Sequence, residues 1–315
     1  MRGYIEGWQI LKAIVVHQYG GPEELKFEDY PNPSPASGEV LVRVAATSIN
    51  PFDMMRRSGA AKDFAPITFP GIVGVDLSGT VVQLGPQVEG FSVGDQVFGI
   101  ADRTYAELCV VKATSLAKIP AGLDVVEAGA LPLVTTTGNQ LISVGTGVKA
   151  GQTVLVSGAV GNVGRSAVFT AKNRGAMVIA AVLKRQIEEA ADLRVDQLVA
   201  TDDDSAIANL PPLDAVADTI GGQTAEKLIA KLKPGGVFAS VLGRPRNAKD
   251  YPTVRVVEVY VNPDANVLLF MAQAVLAGKL HIPIRQKLPL KNAMQGHAAP
   301  AKGGSGKTVL VVANN

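Results

Sequence analysis

The sequence predicts an α/β protein in which a doubly wound βα domain is joined to a compact β-rich domain. Three observations predict it. Residues 12–120 are dense in short β-type runs broken by Gly and Pro. Near Asp124 the texture changes to alternating strand and helix patterns. Within that second half, residues 153–185 form a strand, a turn of small residues, an amphipathic helix and a second strand, the repeating unit of a parallel sheet.

In chain order, Ala13–Val16, Val40–Ala45, Gly79–Leu84 and Ala106–Val111 read as strands, separated by turn signals at Pro31–Gly38, Gly85–Gly94 and Lys118–Gly122. Short strands at that spacing predict a barrel or sandwich-like domain. Val125–Leu133 and Gln140–Ser143 read as helical, and Thr153–Val156 opens the βα alternation. Further strands are expected near Gln197–Ala200, at Ala215–Asp218, Val237–Leu242 and Val254–Val261. A helix from Thr224 to Leu232 is expected to stop at Lys233-Pro234-Gly235-Gly236, because Pro and Gly end helices. A long apolar-periodic helix follows Asn262-Pro263-Asp264 and ends at Gly278. The strand Thr308–Val312 has no helix after it and is expected to return to the first domain.

At 315 residues the chain fits two domains, and 47% apolar residues suffice for their cores. A net charge of +2, with no basic stripe, speaks against nucleic acid, and no apolar run reaches membrane-spanning length. The single cysteine, Cys109, excludes an internal disulfide and fits a reducing, cytoplasmic setting. Residues 1–11 lack the charged head and apolar core of a signal peptide.

The turn at the end of the first βα strand carries the chemistry. Gly158 and Ala159 allow a tight turn, Gly161 lets backbone approach a ligand, and Gly164 lets the helix lie against the sheet. The pattern is A-x-G-x-x-G, with Ala159 in place of the first glycine. Ala159, Val160, Gly161, Asn162, Val163 and Gly164 are the expected cofactor-binding residues of this turn, where unpaired N–H groups at the helix start, aided by the helix dipole, would face a pyrophosphate. An ordinary tight βα turn is the competing reading. The second strand ends at Leu183-Lys184-Arg185, where a chain preferring NAD carries an acid for the ribose hydroxyls. Lys184 and Arg185 would attract a 2′-phosphate, so NADPH is expected over NADH, a solvated basic loop being the alternative. Gly303-Gly304-Ser305-Gly306-Lys307-Thr308 imitates a phosphate-binding P-loop, but Ala301 stands where the pattern needs glycine and a strand follows instead of a helix. It reads as a flexible hairpin-type loop.

Several segments, in order, resemble the medium-chain dehydrogenase/reductase superfamily, and most closely its zinc-independent quinone oxidoreductase (zeta-crystallin-like) branch. They are Lys12–Glu23, Ser48–Asp53, Phe69–Val82, Val93–Gly99, Tyr105-Ala-Glu107, Leu131-Pro-Leu133 and Asp218–Gly222. The resemblance implies a GroES-like β-barrel domain from residues 1–124 and 263–315 and a Rossmann NADP-binding domain from residues 125–262, with a cleft between them. It also implies a homodimer. Zinc-dependent relatives use a cysteine and a Gly-His-Glu run; here those positions read Asn50 and Gly74-Val75-Asp76, and the structural cysteine lobe is missing. His17, His281 and His297 are scattered and read as surface or capping residues, so no metal is expected.

Without zinc, hydride delivery from the nicotinamide is the remaining chemical resource, and it suits an already electrophilic acceptor, a quinone or an α,β-unsaturated carbonyl. The resemblance places Asn50 and Asp53 beside nicotinamide and acceptor and Thr137 near the nicotinamide end. Asn50 would hydrogen-bond an acceptor oxygen, and Asp53 would orient Asn50 or a ribose hydroxyl. Asn50 and Asp53 beside Pro51 also read as turn-capping residues, and Thr137 as helix capping. Tyr105 reads as packing before proton donor. Where some relatives carry a tyrosine, this chain has Met54-Met55-Arg56-Arg57; the missing phenol leaves solvent to supply the proton, and the two arginines read as a solvated loop before a site for an anionic acceptor. An enoyl-thioester reductase and a non-catalytic NADPH-binding structural or redox-sensor protein are the other functions this scaffold accommodates.

Overall fold

The computed structural model describes residues 10–298 and 306–312. Residues 1–9, 299–305 and 313–315 lie outside that range, among them 303–305 of the P-loop look-alike. The chain divides into two compact units, Met1–Leu133 with Pro263–Leu276 and Pro283–Asn315, and Val134–Asn262 with Ala277–Ile282.

The first unit opens with β1 (Ile10–Val16), β2 (Lys26–Pro31) and β3 (Glu39–Ser48). Helix α1 (Pro51–Ser58) follows, then β4 (Gly71–Ile72), β5 (Asp76–Leu84), β6 (Gln96–Ile100), β7 (Leu108–Lys112) and β8 (Leu116–Lys118). β1 pairs antiparallel with β2 and β4 in a three-stranded sheet. β3 sits between β5 and β7, so both its edges are paired, and Val40, Val42, Val44 and Ala46 are fully buried at the period of two that a strand imposes, while Arg43 on the other face is exposed. Each such valine contributes about 1.5–3 kcal/mol by leaving water.

Two helices follow, α2 (Val125–Ala128), capped by Asp124 through the Val126 and Glu127 amides, and α3 (Pro132–Gln140). The helix expected over Gln140–Ser143 is instead a π-helical turn, Leu141–Thr146, in which the Thr146 hydroxyl donates to the Ile142 carbonyl at 2.8 Å.

The second unit is built on β9 (Thr153–Ser157), α4 (Asn162–Asn173), β10 (Met177–Val182), β11 (Gln197–Ala200), α5 (Asp204–Ala208), β12 (Leu213–Asp218), α6 (Gly222–Ile229), β13 (Leu232–Ser240) and β14 (Arg255–Glu258). All six strands run parallel in the order β11-β10-β9-β12-β13-β14. The order reverses between β9 and β12, the switch point of a doubly wound sheet, and ligands bind beyond the carboxyl ends of the strands there. Apolar side chains cover both sheet faces, with Val154, Val156, Val178 and Ala180 on one and Leu155, Val216 and Phe238 on the other.

Lys233-Pro234-Gly235-Gly236 does not end a helix directly. Helix α6 stops at Ile229, and these residues form an irregular entry to β13, where the register with β12 shifts between Leu213 and Ala215. The strand expected over 254–261 is confined to β14.

The chain closes with α7 (Ala265–Leu276), β15 (Ile284–Pro289), α8 (Ala293–Ala298) and β16 (Lys307–Val311). β16 pairs antiparallel with β3, Val309 opposite Ser48, and parallel with β15, so the final strand does return to the first unit. Together these strands form a seven-stranded sheet in the order β15-β16-β3-β5-β6-β8, with β7 attached to β3. Among the described residues no helix is long and apolar enough to cross a membrane.

Candidate active site

The glycine turn follows β9 at the switch point. Gly158 has φ +64°, in the left-handed region, and its carbonyl accepts from the Gly161 amide at 2.9 Å. A Cβ on Gly164 would lie 2.2 Å from the Gly158 oxygen and 2.7 Å from the Ala159 Cα, so only glycine lets α4 meet the turn this closely. Gly161 is the N-cap of α4 and offers no side-chain cap. The first amides of the helix are therefore open to an anion, and the residues present fit a dinucleotide.

Two polar assemblies brace this turn, one around Asp218 of the family-like segment Asp218–Gly222 and one around Arg165, which the sequence does not point to. Asp218 at the end of β12 accepts from the Ser157 hydroxyl at 2.8 Å, the Ser240 hydroxyl at 2.7 Å and the Gly221 amide at 3.1 Å, tying together the ends of β9, β12 and β13. Arg165, buried on α4, donates to the Val160 carbonyl at 3.0 Å and to Asp192 at 2.6 Å. Lys184 and Arg185 are exposed at the end of β10, where the Lys184 amide donates to Asp202 at 2.7 Å. Thr137 is half-buried inside α3, in the same helix as Thr136, whose buried hydroxyl has no partner.

The second group of predicted residues lies in the first unit. Asn50 caps α1: Pro51 occupies N1, and Asp53 Oδ2 accepts from the Asn50 backbone N–H at 2.8 Å. Both side chains are buried, so the capping role read from the sequence and membership of a polar site coincide.

Topology then adds two groups. Asp76 opens β5, and Lys307 opens β16; both are buried. Lys307 Nζ donates to Asn50 Oδ1 at 2.5 Å and lies 3.2 Å from Asp76 Oδ2. Asn50 Nδ2 donates to Asp76 Oδ2 at 2.8 Å and to Asp53 Oδ2 at 3.2 Å. An ammonium can only donate and a carboxylate accepts, so these partners fix which way the amide points. Asp76 further accepts from the Ser48 hydroxyl and, at 2.7 Å, from the Leu133 amide.

Tyr105 and His297 complete the cluster. The Tyr105 hydroxyl donates to Asp53 Oδ2 at 3.4 Å and stands 3.1 Å from His297 Nε2. Tyr105 is packed in the core as expected, but its hydroxyl also joins two ionisable groups. His297, expected at the surface, is buried, and burial lowers it to about 4. Asp53 moves the other way: burial, then the Asp76 charge, raises it to about 7 against the lowering effects of Asn50 and Lys307. Met54–Arg57 is no solvated loop; it lies within α1, with Arg56 paired to Asp102 and Arg57 donating to the Gly20 carbonyl at 2.7 Å.

Fold and turn define a nicotinamide-dependent oxidoreductase scaffold, and similarity to known proteins identifies the family. Residues 36–121 match the alcohol dehydrogenase GroES-like domain and residues 188–310 the domain described as zinc-binding dehydrogenase. A chloroplast envelope quinone oxidoreductase homolog of Arabidopsis thaliana is 29% identical over 96% of this chain and 98% of its own. A 2-haloacrylate reductase of a Burkholderia species is 28% identical over 91% and 95%. The solved quinone oxidoreductase of Coxiella burnetii superposes with a TM-score of 0.87 at 29% identity over 96% of this chain and all of its own, 100%. A mycobacterial protein solved with NADPH gives 0.83 at 26% identity over 96% and 99%.

The chain belongs to the medium-chain dehydrogenase/reductase superfamily, in its quinone oxidoreductase family. It is an oxidoreductase that uses a nicotinamide cofactor.

The description of the second domain raises the question of zinc. Among the described residues no three His, Cys, Asp or Glu side chains are grouped to hold a metal. The oxygens of Asn50 and Asp76 already surround the Lys307 ammonium. A divalent ion about 4 Å from that charge would be repelled by about 8 kcal/mol at an effective dielectric of about 20. Asn50 and Asp76 offer only oxygen, the imidazole of His297 is engaged by Tyr105, and no sulfur joins them, so these residues do not fit a zinc site.

Proposed function

We propose that this protein is a zinc-independent, NADPH-dependent reductase that transfers hydride to a quinone or to the alkene of an α,β-unsaturated carbonyl. The observation that carries this reading is the buried Asn50–Asp53–Asp76–Lys307 cluster, in which an ammonium belonging to the chain engages the oxygens of Asn50 and Asp76. Because its oxygens are engaged by an ammonium and do not suit zinc, such a site serves an acceptor that is already electrophilic. The names of relatives, a quinone oxidoreductase homolog and a 2-haloacrylate reductase, support both acceptor classes.

Bound NADPH would supply hydride from nicotinamide C4. The amides of Asn162, Val163 and Gly164 would hold its pyrophosphate, and Lys184 and Arg185 its 2′-phosphate. Thr137 stands for the nicotinamide end. Asn50 serves as the hub of the acceptor site: its amide oxygen and both hydrogens are engaged by Lys307, Asp76 and Asp53. Removing it loosens the whole cluster, so Asn50→Ala is expected to lower turnover more than NADPH affinity.

The experiment is NADPH oxidation with a simple quinone and a short alkenal, in chelator-treated buffer, with NADH in parallel. Consumption of NADPH by either acceptor supports the reading. Loss of activity on chelation, restored by zinc, refutes the zinc-independent mechanism, and tight NADPH binding without turnover on any acceptor points to a binding protein. A relative named acryloyl-coenzyme A reductase makes a short enoyl thioester the third acceptor for the panel.

A further inference from the structure

The two oxygens of Asp53 are not equivalent. Oδ2 accepts from the Asn50 backbone N–H at 2.8 Å, from the Asn50 side-chain amide at 3.2 Å and from the Tyr105 hydroxyl at 3.4 Å. Oδ1 is buried and has no hydrogen-bond partner. An ionised carboxylate spreads its charge over both oxygens and would leave one of them bare in a medium that solvates it poorly. A carboxylic acid suits this arrangement, with a carbonyl oxygen that takes the three donors and a hydroxyl on the other side.

Charge balance agrees. The cluster holds two buried carboxyl groups and one ammonium. Asp76 has the ammonium at 3.2 Å, together with the Ser48 hydroxyl and the Leu133 and Asn50 N–H groups, so Asp76 carries the charge. Among the described residues no cation is paired with Asp53, and the Lys307 charge acts on it only as a lesser influence than burial.

We propose that Asp53 is held as a neutral acid with its proton on Oδ1 and that it delivers this proton to the reduced acceptor. The inference deepens the reductase reading and rests on it for the identity of the acceptor. Once the acceptor has gained hydride at its alkene carbon, negative charge resides on its carbonyl oxygen. The O–H bond at Asp53 Oδ1 breaks, an O–H bond to the substrate oxygen forms, and the electron pair stays on the carboxylate. No further oxidant or reductant enters. Tyr105 is a positioning residue: by donating to Oδ2 it helps keep the proton on the opposite oxygen.

The groups facing Asp53 are Asp76 from β5 and Lys307 from β16, which oppose one another, and Tyr105 with His297 of α8 behind it. Arg57, further along α1, acts on Tyr105 and His297. Burial, as the largest influence, brings Asp53 to about 7, where an acid works best near neutral pH.

Infrared spectroscopy of the cofactor-free protein tests the proton's location without any turnover. A protonated-carboxyl C=O band that titrates near neutrality and is missing in Asp53→Asn is expected. If the wild-type and Asp53→Asn spectra do not differ in this band down to about pH 5, roughly one pH unit above an ordinary aspartate, the proposal is overturned. With an alkenal as acceptor, wild-type kcat is expected to fall tenfold per pH unit above the midpoint. Asp53→Asn should lose that limb and about 10²-fold in kcat, with NADPH affinity within about twofold.

A weakened NADPH affinity with unchanged kcat would instead make Asp53 a ribose ligand and sink the idea. Tyr105→Phe, which removes one donor to the carboxyl, is expected to move the limb to higher pH and serves should Asp53→Asn fold poorly. If no acceptor oxidises NADPH, the reductase reading fails, while the infrared band still decides where the proton sits.

Discussion

Asp53 and His297 make opposite demands on stability, and separating them is the sharpest test of the cluster. Asp53 moves from an ordinary 3.8 to about 7, and His297 from 6.5 to about 4. Between pH 4 and 7 the folded protein keeps a proton on Asp53 that the unfolded chain has released. Stability from this group is therefore complete below about 4 and lost as pH rises through about 7, a fall of about 4 kcal/mol at about 1.4 kcal/mol per pH unit. His297 does the reverse. Between 4 and 6.5 the unfolded chain binds a proton that the buried imidazole refuses, so stability rises with pH by about 3 kcal/mol.

Over the shared window the two slopes nearly cancel, and the wild type is expected to show little pH dependence from this pair. Asp53→Asn removes the falling limb and should leave a protein whose stability climbs by about 3 kcal/mol from about pH 4 to about 6.5. His297→Gln should leave one that declines by about 4 kcal/mol from about pH 4 to about 7. Urea unfolding followed by circular dichroism in half-unit steps of pH reads both slopes, and subtracting the wild-type profile removes every other titrating group. A profile for Asp53→Asn parallel to that of the wild type would mean that Asp53 is ionised throughout, and the argument for a neutral acid would fail.

Gly164→Ala places a methyl group against the Gly158 carbonyl and the Ala159 Cα, neither of which can yield as a side chain would; a loss of about 1–3 kcal/mol in urea unfolding is expected, together with loss of NADPH binding by calorimetry. Replacing both Lys184 and Arg185 with Ala should weaken NADPH about 10- to 100-fold, the loss of one or two charge-assisted hydrogen bonds, and leave NADH affinity unchanged; equal losses for both would refute the phosphate role. Lys307→Met strands the buried Asp76 charge and should cost about 3–5 kcal/mol in urea unfolding, whereas Lys307→Met combined with Asp76→Leu should recover part of it.

What could be read from the sequence is what is encoded locally. The bend between Gly158 and Gly164 lies within seven residues of one strand, and its conformational demands appear as glycines. Helix α1 was legible only at its start. Asn-Pro-x-Asp is an N-cap, a proline at N1 and an acid at N3, yet proline and asparagine also make turns, and Met54–Arg57 consequently passed for a loop. Lys233–Gly236 failed for the same reason, since Pro and Gly mark a bulged strand entry as well as a helix end.

The polar cluster was only half legible, and topology explains which half. Asn50 and Asp53 are three residues apart, whereas Asp76, Tyr105, His297 and Lys307 reach them from 23 to 257 residues away. No hydrophobic period records such a meeting. Lys307 first appeared as part of a spurious phosphate loop; it is the antiparallel register of β16 on β3, Val309 against Ser48, that brings its ammonium beside Asn50. Once there, it settles the electrostatics of its neighbours. One ammonium balances one carboxylate, Asp76 has the better claim to it, and the remaining carboxyl, in a core that solvates charge poorly, keeps its proton. The acid of this site thus follows from the pairing of the last strand with the third, and a chain with Asn50 and Asp53 intact but β16 displaced would lose the ammonium that divides charge between its two carboxyl groups.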